Sequence, residues 1–367
     1  MPAYPGSERE RRIPVQALRD FVAAIFTNCG MSAEDAALLA DTLAAADLRG
    51  VHSHGVLRTP EYAGRMLAKV VDPRGRPRLV KDSGAALVID GGNSMGQIGA
   101  VFAMRQAIER ARSAGVAAAA VGGSNHCGAM FYYAMMALPE DMIGLATTNA
   151  LPTMAPWGGA DKIVGINPLA VAVPAAEESP LVLDAAFSYS SHGKIRIFHQ
   201  KGLPIPPAWA SDADGQPTTD TGKALAGLLQ PIGEYKGVGL AVVMGILSSL
   251  LSGAGYGLES GNMVDGATPG RDGHFLMALR VAAFEDPARF KQRVDGVIRQ
   301  IRTSRKAPGV ECLYAPGGLE AQTEAHYRRD GIPLNDLTLA GLARAAARVG
   351  LDPALLHTHP PGQQPGR

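Results

Sequence analysis

From Gly237 to Leu258 the chain carries no charged residue. As a helix, that run is about as long as a bilayer is thick. A segment of this kind must either cross a membrane or be covered by the rest of the protein. Here glycines and serines interrupt it (Gly239, Gly245, Gly253, Gly255, Gly257, Ser248, Ser249 and Ser252), and polar, turn-rich sequence lies on both sides. No second run of this length and polarity accompanies it. The segment therefore reads as a buried core helix ending in a glycine turn, inside a globular protein.

With 367 residues, 46% of them hydrophobic and 19% charged, the chain can bury a sizeable core and divide into two or so domains. A net charge of +1 without a long basic run excludes nucleic acid as an obvious partner. Cys29, Cys127 and Cys312 are scattered, without metal-type spacing, and the N-terminus has no apolar signal run. These features point to a reducing compartment, with the cytoplasm as the expected location.

Both ends of the chain read as helical. Val15 to Phe26 has helical spacing, a second helix starts from a Ser32 cap with Asp35 three residues on and runs to Leu48, and a third passes through Tyr62 and Met66. Beyond Pro73 strands appear: 85–89, 116–121, 142–147, 169–173, 181–183 and 276–283. Helices are expected over 100–114, 129–138, 287–304 and 337–349, with a long irregular excursion over 202–220.

Two histidine motifs sit at breaks between these segments. In Ser53-His54-Gly55, a continuous helix would align His54, Arg58 and Tyr62 at i, i+4 and i+8, although Pro60 argues against continuity. Histidine exchanges protons near neutral pH, and arginine grips carboxylates through its planar fork. Spacing alone also admits a surface histidine beside a Ser53 cap. In Ser124-Asn125-His126-Cys127-Gly128, Ser124 or Asn125 is placed to fix the tautomer of His126, and a tight capped turn is the plainer alternative. Cys127 has no visible pKa-lowering partner and reads as a buried thiol. Gly237-Val238-Gly239 mimics a dinucleotide fingerprint, but a loop rather than a strand precedes it, so the usual nucleotide-binding fold is not supported. His52 and His54 lack a third ligand at metal spacing, so no metal is expected.

The chain resembles the malate/L-lactate dehydrogenase family of the non-Rossmann type, which includes ureidoglycolate, sulfolactate and diketogulonate oxidoreductases and piperideine/pyrroline-2-carboxylate reductases. The resemblance is carried in order by Arg49-Gly50-Val51-His52-Ser53-His54-Gly55 with Arg58 and Tyr62, Ser124 to Gly128, Ala155 to Gly159 and Gly165 to Pro168. It continues through Leu183 to Ala186, Gly193-Lys194-Ile195, Pro217 to Asp220, Tyr235-Lys236-Gly237 and Ala315-Pro316-Gly317. Ile166 and Gly318 depart from it, where members usually carry threonine and often an acidic residue.

The resemblance implies an α/β (α+β) protein with a non-Rossmann three-layer core, a mixed β-sheet and a helical domain built from the chain termini. The implied boundaries are 1–80 with 287–355 for the helical domain, 81–286 for the cofactor-binding domain, and 356–367 as a disordered tail. It implies a homodimer with its site between domains, and hydride transfer between a nicotinamide and C2 of a small 2-oxo or 2-hydroxy acid. Reduction of a cyclic imine 2-carboxylate is the alternative. A serine hydrolase using Ser53 and a non-catalytic metabolite-binding protein are remote ones. Carried over by position, His54, assisted by Ser53, and His126 are catalytic, and Arg58 with Tyr62 binds the substrate carboxylate. Cofactor contacts fall to Asn149, Asn167, Asp184, Ala185, Ala186, Lys236, Gly237, Pro316 and Gly317. Glu177 and Glu178 lie near the expected adenosine ribose and favour NAD, with NADP as the other candidate.

Overall fold

The computed structural model describes residues 9–263 and 265–357. The expected disordered tail, and His359 within it, lie almost entirely outside the described residues. The described residues form two compact units, one from 9–74 and 318–357, the other spanning Gly75–Gly317.

The first unit is built on the helices Val15–Asn28, Ala33–Leu48, Thr59–Leu67, Gly318–Asp330 and Asp336–Arg348, with a short antiparallel pair Arg11–Ile13 and Ile332–Leu334 joining the two ends of the chain. Ser32 caps the second helix by accepting the amide of Asp35, as the spacing predicts. Leu18, Ile25, Phe26, Leu39 and Leu43 close its core.

The second unit centres on a seven-stranded mixed sheet in the order Arg78–Asp82, Ala86–Asp90, Val116–Ser124, Asp272–Arg280, Met142–Thr148, Leu169–Val173, Leu181–Ala185. Only Ala86–Asp90 and Val116–Ser124 pair in parallel among these strands. A late segment, Asp272–Arg280, takes the centre, so the sheet is not a doubly wound nucleotide-binding one. Its two faces are covered differently. A side chain at Gly144 would strike Ala134 and Ala137, whereas one at Gly273 would strike Ser248 and Ala254. Residues 144 and 278, 146 and 276, and 148 and 274 pair across one face, and Gly273 points to the other. Helices Gly96–Ala114 and Phe131–Met135 therefore cover one face and helix Tyr235–Ser249 the other, giving three layers.

Four expectations need correction. Helix Pro287–Thr303 belongs to the α/β unit, because its Asp295 accepts the amides of Ala176, Glu177 and Glu178 and its Lys291 pairs with Asp141. The helix expected from residue 100 begins at Gly96, where a Cβ would collide with the carbonyl oxygen of Asn125, so tertiary packing overrides glycine's poor helix propensity. The helix expected over 129–138 is shorter, Phe131–Met135, and gives way to a turn at Pro139. Finally, the charge-free helix is buried on one side only. Gly237, Val238, Ala241, Gly245, Ser248 and Ser249 face inward, and their small size brings the helix close to the sheet. Most of its larger residues point outward: Leu240, Val243 and Ile246 are 48%, 50% and 40% exposed, as is Leu250 in the turn that follows, at 56%.

Candidate active site

In the helical unit one buried carboxylate organises the first histidine motif. Asp47, in the last turn of Ala33–Leu48, is 1% exposed. Its Oδ1 lies 2.6 Å from His52 Nδ1, and its Oδ2 accepts the Val56 amide at 2.7 Å. A Cβ on Gly55 would fall 2.1 Å from Asp47 Oδ1, so only glycine fits there. This clamp folds the segment as two short turns, His52–His54 and Val56–Arg58, divided at the extended Gly55. The continuous helix that would have aligned His54, Arg58 and Tyr62 is therefore not formed. Pro60 instead sits in the first turn of Thr59–Leu67, where its missing N–H costs nothing.

The clamp still brings the predicted residues together. Ser53 Oγ lies 3.0 Å from His54 Nδ1, and Arg58 Nε donates to the Ser53 carbonyl at 2.9 Å. Arg58 Nη1 donates to Glu61 Oε2 at 2.8 Å. Burial works against the Arg58 charge, but Glu61 and Tyr62 more than offset it and hold its pKa above the ordinary value. Tyr62 is fully buried, close enough to Arg58 to help raise its pKa.

In the α/β unit the second motif follows strand Val116–Ser124. Ser124 Oγ lies 2.8 Å from His274 Nε2, and His274 Nδ1 lies 2.8 Å from Thr148 Oγ1. Thr148 Oγ1 also faces the Gly273 and Asn149 carbonyls at 3.0 and 3.1 Å. Its proton goes to a carbonyl, so His274 donates from Nδ1 and Ser124 donates to Nε2. Burial pushes the His274 pKa down to about 4, which keeps the ring neutral. Ser124 thus spends its proton on His274, and the Asn125 amide donates to Asn93 and Ser94. Ser124 is therefore not placed to set the tautomer of His126, one of the two routes the spacing offers. The Gly128 amide donates to His126 Nδ1 at 3.3 Å. Cys127 is buried, its thiol pushed up to about 12 by burial, which leaves it no nucleophilic character.

The expected cofactor segments converge within this unit. The Phe187 amide donates to the Ile166 carbonyl and the Ile232 amide to the Phe187 carbonyl, tying 166–167 and 184–187 to the turn before Lys236-Gly237. Val182 donates to Pro316, laying Pro316-Gly317 beside strand Leu181–Ala185. Asp184 is exposed and accepts the Phe131 amide at the start of the short helix, and Lys236 is exposed at the start of Tyr235–Ser249. Ala185 and Ala186 are half-buried between these segments.

Asn149 and Asn167 do not present their side chains. Asn149 Nδ2 donates to the Gly255 carbonyl and Ser260 Oγ and its Oδ1 accepts the Gly273 amide, while Asn167 bridges the Ala150 amide and the Ala241 carbonyl, so both amides are spent inside the protein. Glu177 and Glu178 pair with Arg299 at 2.7 and 2.9 Å, and Glu178 also with Arg302 at 2.7 Å. Of the two carboxylates that suggested a ribose contact, Glu178 is held between two guanidinium groups and Glu177 by one, with its side chain 81% exposed.

Against known proteins, the profile of the malate/L-lactate dehydrogenase family matches residues 13–343. The chain belongs to that family. It is 35% identical to malate dehydrogenase of Pyrococcus abyssi, over 93% of this chain and 95% of that protein. It is likewise 35% identical to L-sulfolactate dehydrogenase of Methanocaldococcus jannaschii, over 94% and 97%. The crystal structure of malate dehydrogenase from Entamoeba histolytica superposes with a TM-score of 0.90 at 29% identity, covering 93% of this chain and 99% of that one. The family is one of oxidoreductases, and the mixed sheet with terminal helices is its fold.

As a malate/L-lactate dehydrogenase family member the chain also carries supporting residues beyond those its motifs name. Asp47, Glu61 and His274 are the main ones. Asp47 had one visible signal, a lone acid in an alanine- and leucine-rich helix end. His274 had none, since its partners lie 126 and 150 residues away.

Proposed function

We propose that this chain transfers a hydride between a nicotinamide dinucleotide and C2 of a small 2-oxo or 2-hydroxy acid. The observation that carries this reading is the Ser53–His54–Arg58 cluster, where one serine touches the acid–base imidazole through its hydroxyl and the guanidinium through its carbonyl. In reduction, C2 gains a hydride and its oxygen gains a proton, so the site needs a proton donor, a carbonyl polariser and a carboxylate anchor.

Hydrogen bonding divides these roles. For Nε2 to gain and lose the proton, Nδ1 must keep its own, and Ser53 Oγ is placed to accept from that Nδ1–H in both states. His54 is assigned the proton transfer. His126 receives an N–H at Nδ1, which fixes the neutral ring with its proton on Nε2 and suits it to polarise a carbonyl. Arg58 takes the substrate carboxylate, with Tyr62 behind it.

The residues present fit a dinucleotide. Lys236 is an exposed cation at the positive end of a 15-residue helix, suited to a diphosphate, while Asp184 offers an exposed carboxylate nearby in sequence order to Ala185-Ala186. A Cβ at Gly317 would collide with Val182, so this turn can only be glycine. When bound, the nicotinamide supplies or accepts the hydride. Asn149 and Asn167 contribute by fixing the backbone. The choice of NAD over NADP keeps as support only Glu177, whose side chain stays 81% exposed despite its contact with Arg299. We further propose a homodimer, supported by the outward apolar face of Tyr235–Ser249 and the half-buried Ile143, Leu145, Phe275 and Met277 on the same side of the sheet.

The test is loss of reduced-nicotinamide absorbance with NADH and with NADPH, against pyruvate, oxaloacetate, 2-oxoglutarate and a cyclic imine carboxylate. His54→Ala should abolish turnover while dinucleotide fluorescence titrations stay unchanged. Absence of turnover with every substrate in the wild type refutes the reading.

A further inference from the structure

Arg58 is not an empty carboxylate receptor. A guanidinium offers five N–H donors and grips a carboxylate best with two nitrogens at once. Here Nε is committed to the Ser53 carbonyl and Nη1 to Glu61 Oε2. Nη2 has no protein partner among the described residues. An incoming carboxylate therefore takes Nη2 and shares Nη1 with Glu61, which places the two anions within about 6 Å of each other. The Arg58 and Glu61 side chains are 19% and 45% exposed, so solvent screens this contact only in part.

From this arrangement we infer that Glu61 is a specificity-determining residue, making 2-oxo acids with a single carboxylate the preferred class over those with a second acidic group. The inference rests on Arg58 as the carboxylate anchor of the reaction proposed above. With a monocarboxylate, Arg58 balances one of two anions. A four-carbon diacid brings a third negative charge into the same few ångströms, and Glu61 repels it. The preference is opposite to that in the names of the malate and sulfolactate relatives, whose substrates each carry a second acidic group.

Pyruvate and oxaloacetate share the 2-oxo carboxylate and differ by the second acid, so they isolate the effect. Steady-state kinetics would be measured for wild type, Glu61→Gln and Glu61→Lys at low and high salt. The kcat/KM ratio of oxaloacetate to pyruvate should rise about tenfold in Glu61→Gln, and further in Glu61→Lys, mainly through KM. The gain should shrink at high salt. If Glu61 merely holds Arg58 in place, both substrates lose together and the ratio stays constant, which overturns the inference while leaving the 2-oxo acid reading intact. No turnover of any 2-oxo acid by the wild type overturns that reading and this inference with it.

Discussion

The contact between Asp47 and Gly55 makes a quantitative demand on the helical unit. Asp47→Ala removes both acceptors from His52 Nδ1 and the Val56 amide. Val56 is fully buried, so its unpartnered N–H costs about 1–3 kcal/mol, and the lost charge-assisted contact to His52 adds about 1.5–3 kcal/mol. Gly55→Ala works through the same pair from the other side. Its φ of −87° accepts an ordinary side chain, so the cost arises from the Cβ driven to 2.1 Å from Asp47 Oδ1, about 1–3 kcal/mol of overpacking. In the Asp47→Ala background that collision is gone, and Gly55→Ala should then cost close to nothing. The double variant is thus expected to match Asp47→Ala alone, with a coupling energy of about 1–3 kcal/mol. Urea unfolding should be followed by far-UV circular dichroism, because Trp157 and Trp209 both lie in the other unit. Additive single-variant costs, within about 0.5 kcal/mol, would show that the two residues do not press on each other and would sink the clamp.

Three shorter predictions follow from burial. His192 and His274 both have pKa values lowered to about 4 by burial, against an ordinary 6.5, so below pH 6.5 the unfolded chain holds protons that the folded chain refuses. Stability should be unaffected by them at pH 7 and fall as pH drops from 6.5 to 4, by on the order of 3 kcal/mol for each histidine, read by denaturant midpoints across that window. Cys29 and Cys127 are buried and Cys312 is exposed, so a thiol reagent at pH 8 should modify one cysteine of the native chain and all three after denaturation. Rapid native labelling of Cys127 would contradict its raised pKa. Val243→Asp combined with Leu250→Asp should shift the light-scattering mass from dimer to monomer, and a wild type already monomeric at micromolar concentration would refute the proposed interface.

Where structure is decided locally, the sequence could be read closely. The Ser32 cap, the helix from Val15 and the strand Leu169–Val173 follow from short-range spacing, and the fold contains them. The order of strands could not be read this way. Asp272–Arg280 reaches the sheet centre because its buried face, His274, Leu276 and Ala278, fits between two strands rich in small residues, a match visible only once all three are aligned. The charge-free helix misled for a related reason. Its composition says that it is apolar, but only the sheet decides that Val238 and the glycine, alanine and serine positions face inward while Leu240, Val243 and Ile246 face out.

The same distinction separates the candidate site residues that the fold brings together from the candidates it engages elsewhere. Ser53, His54 and Arg58 meet through contacts spanning at most five residues, so the motif itself brings them together even though the helix that would have joined them is broken. Glu177 and Glu178 lie close to the expected ribose in sequence, yet Arg299 and Arg302, more than a hundred residues on, reach their carboxylates. A charged residue near a site can serve a ligand only to the extent that the fold leaves its charge unspent. By that criterion Arg58 and Glu61 are the informative pair. Their contact spans three residues, the guanidinium keeps one nitrogen without a protein partner among the described residues, and the carboxylate remains beside it to repel a second negative charge.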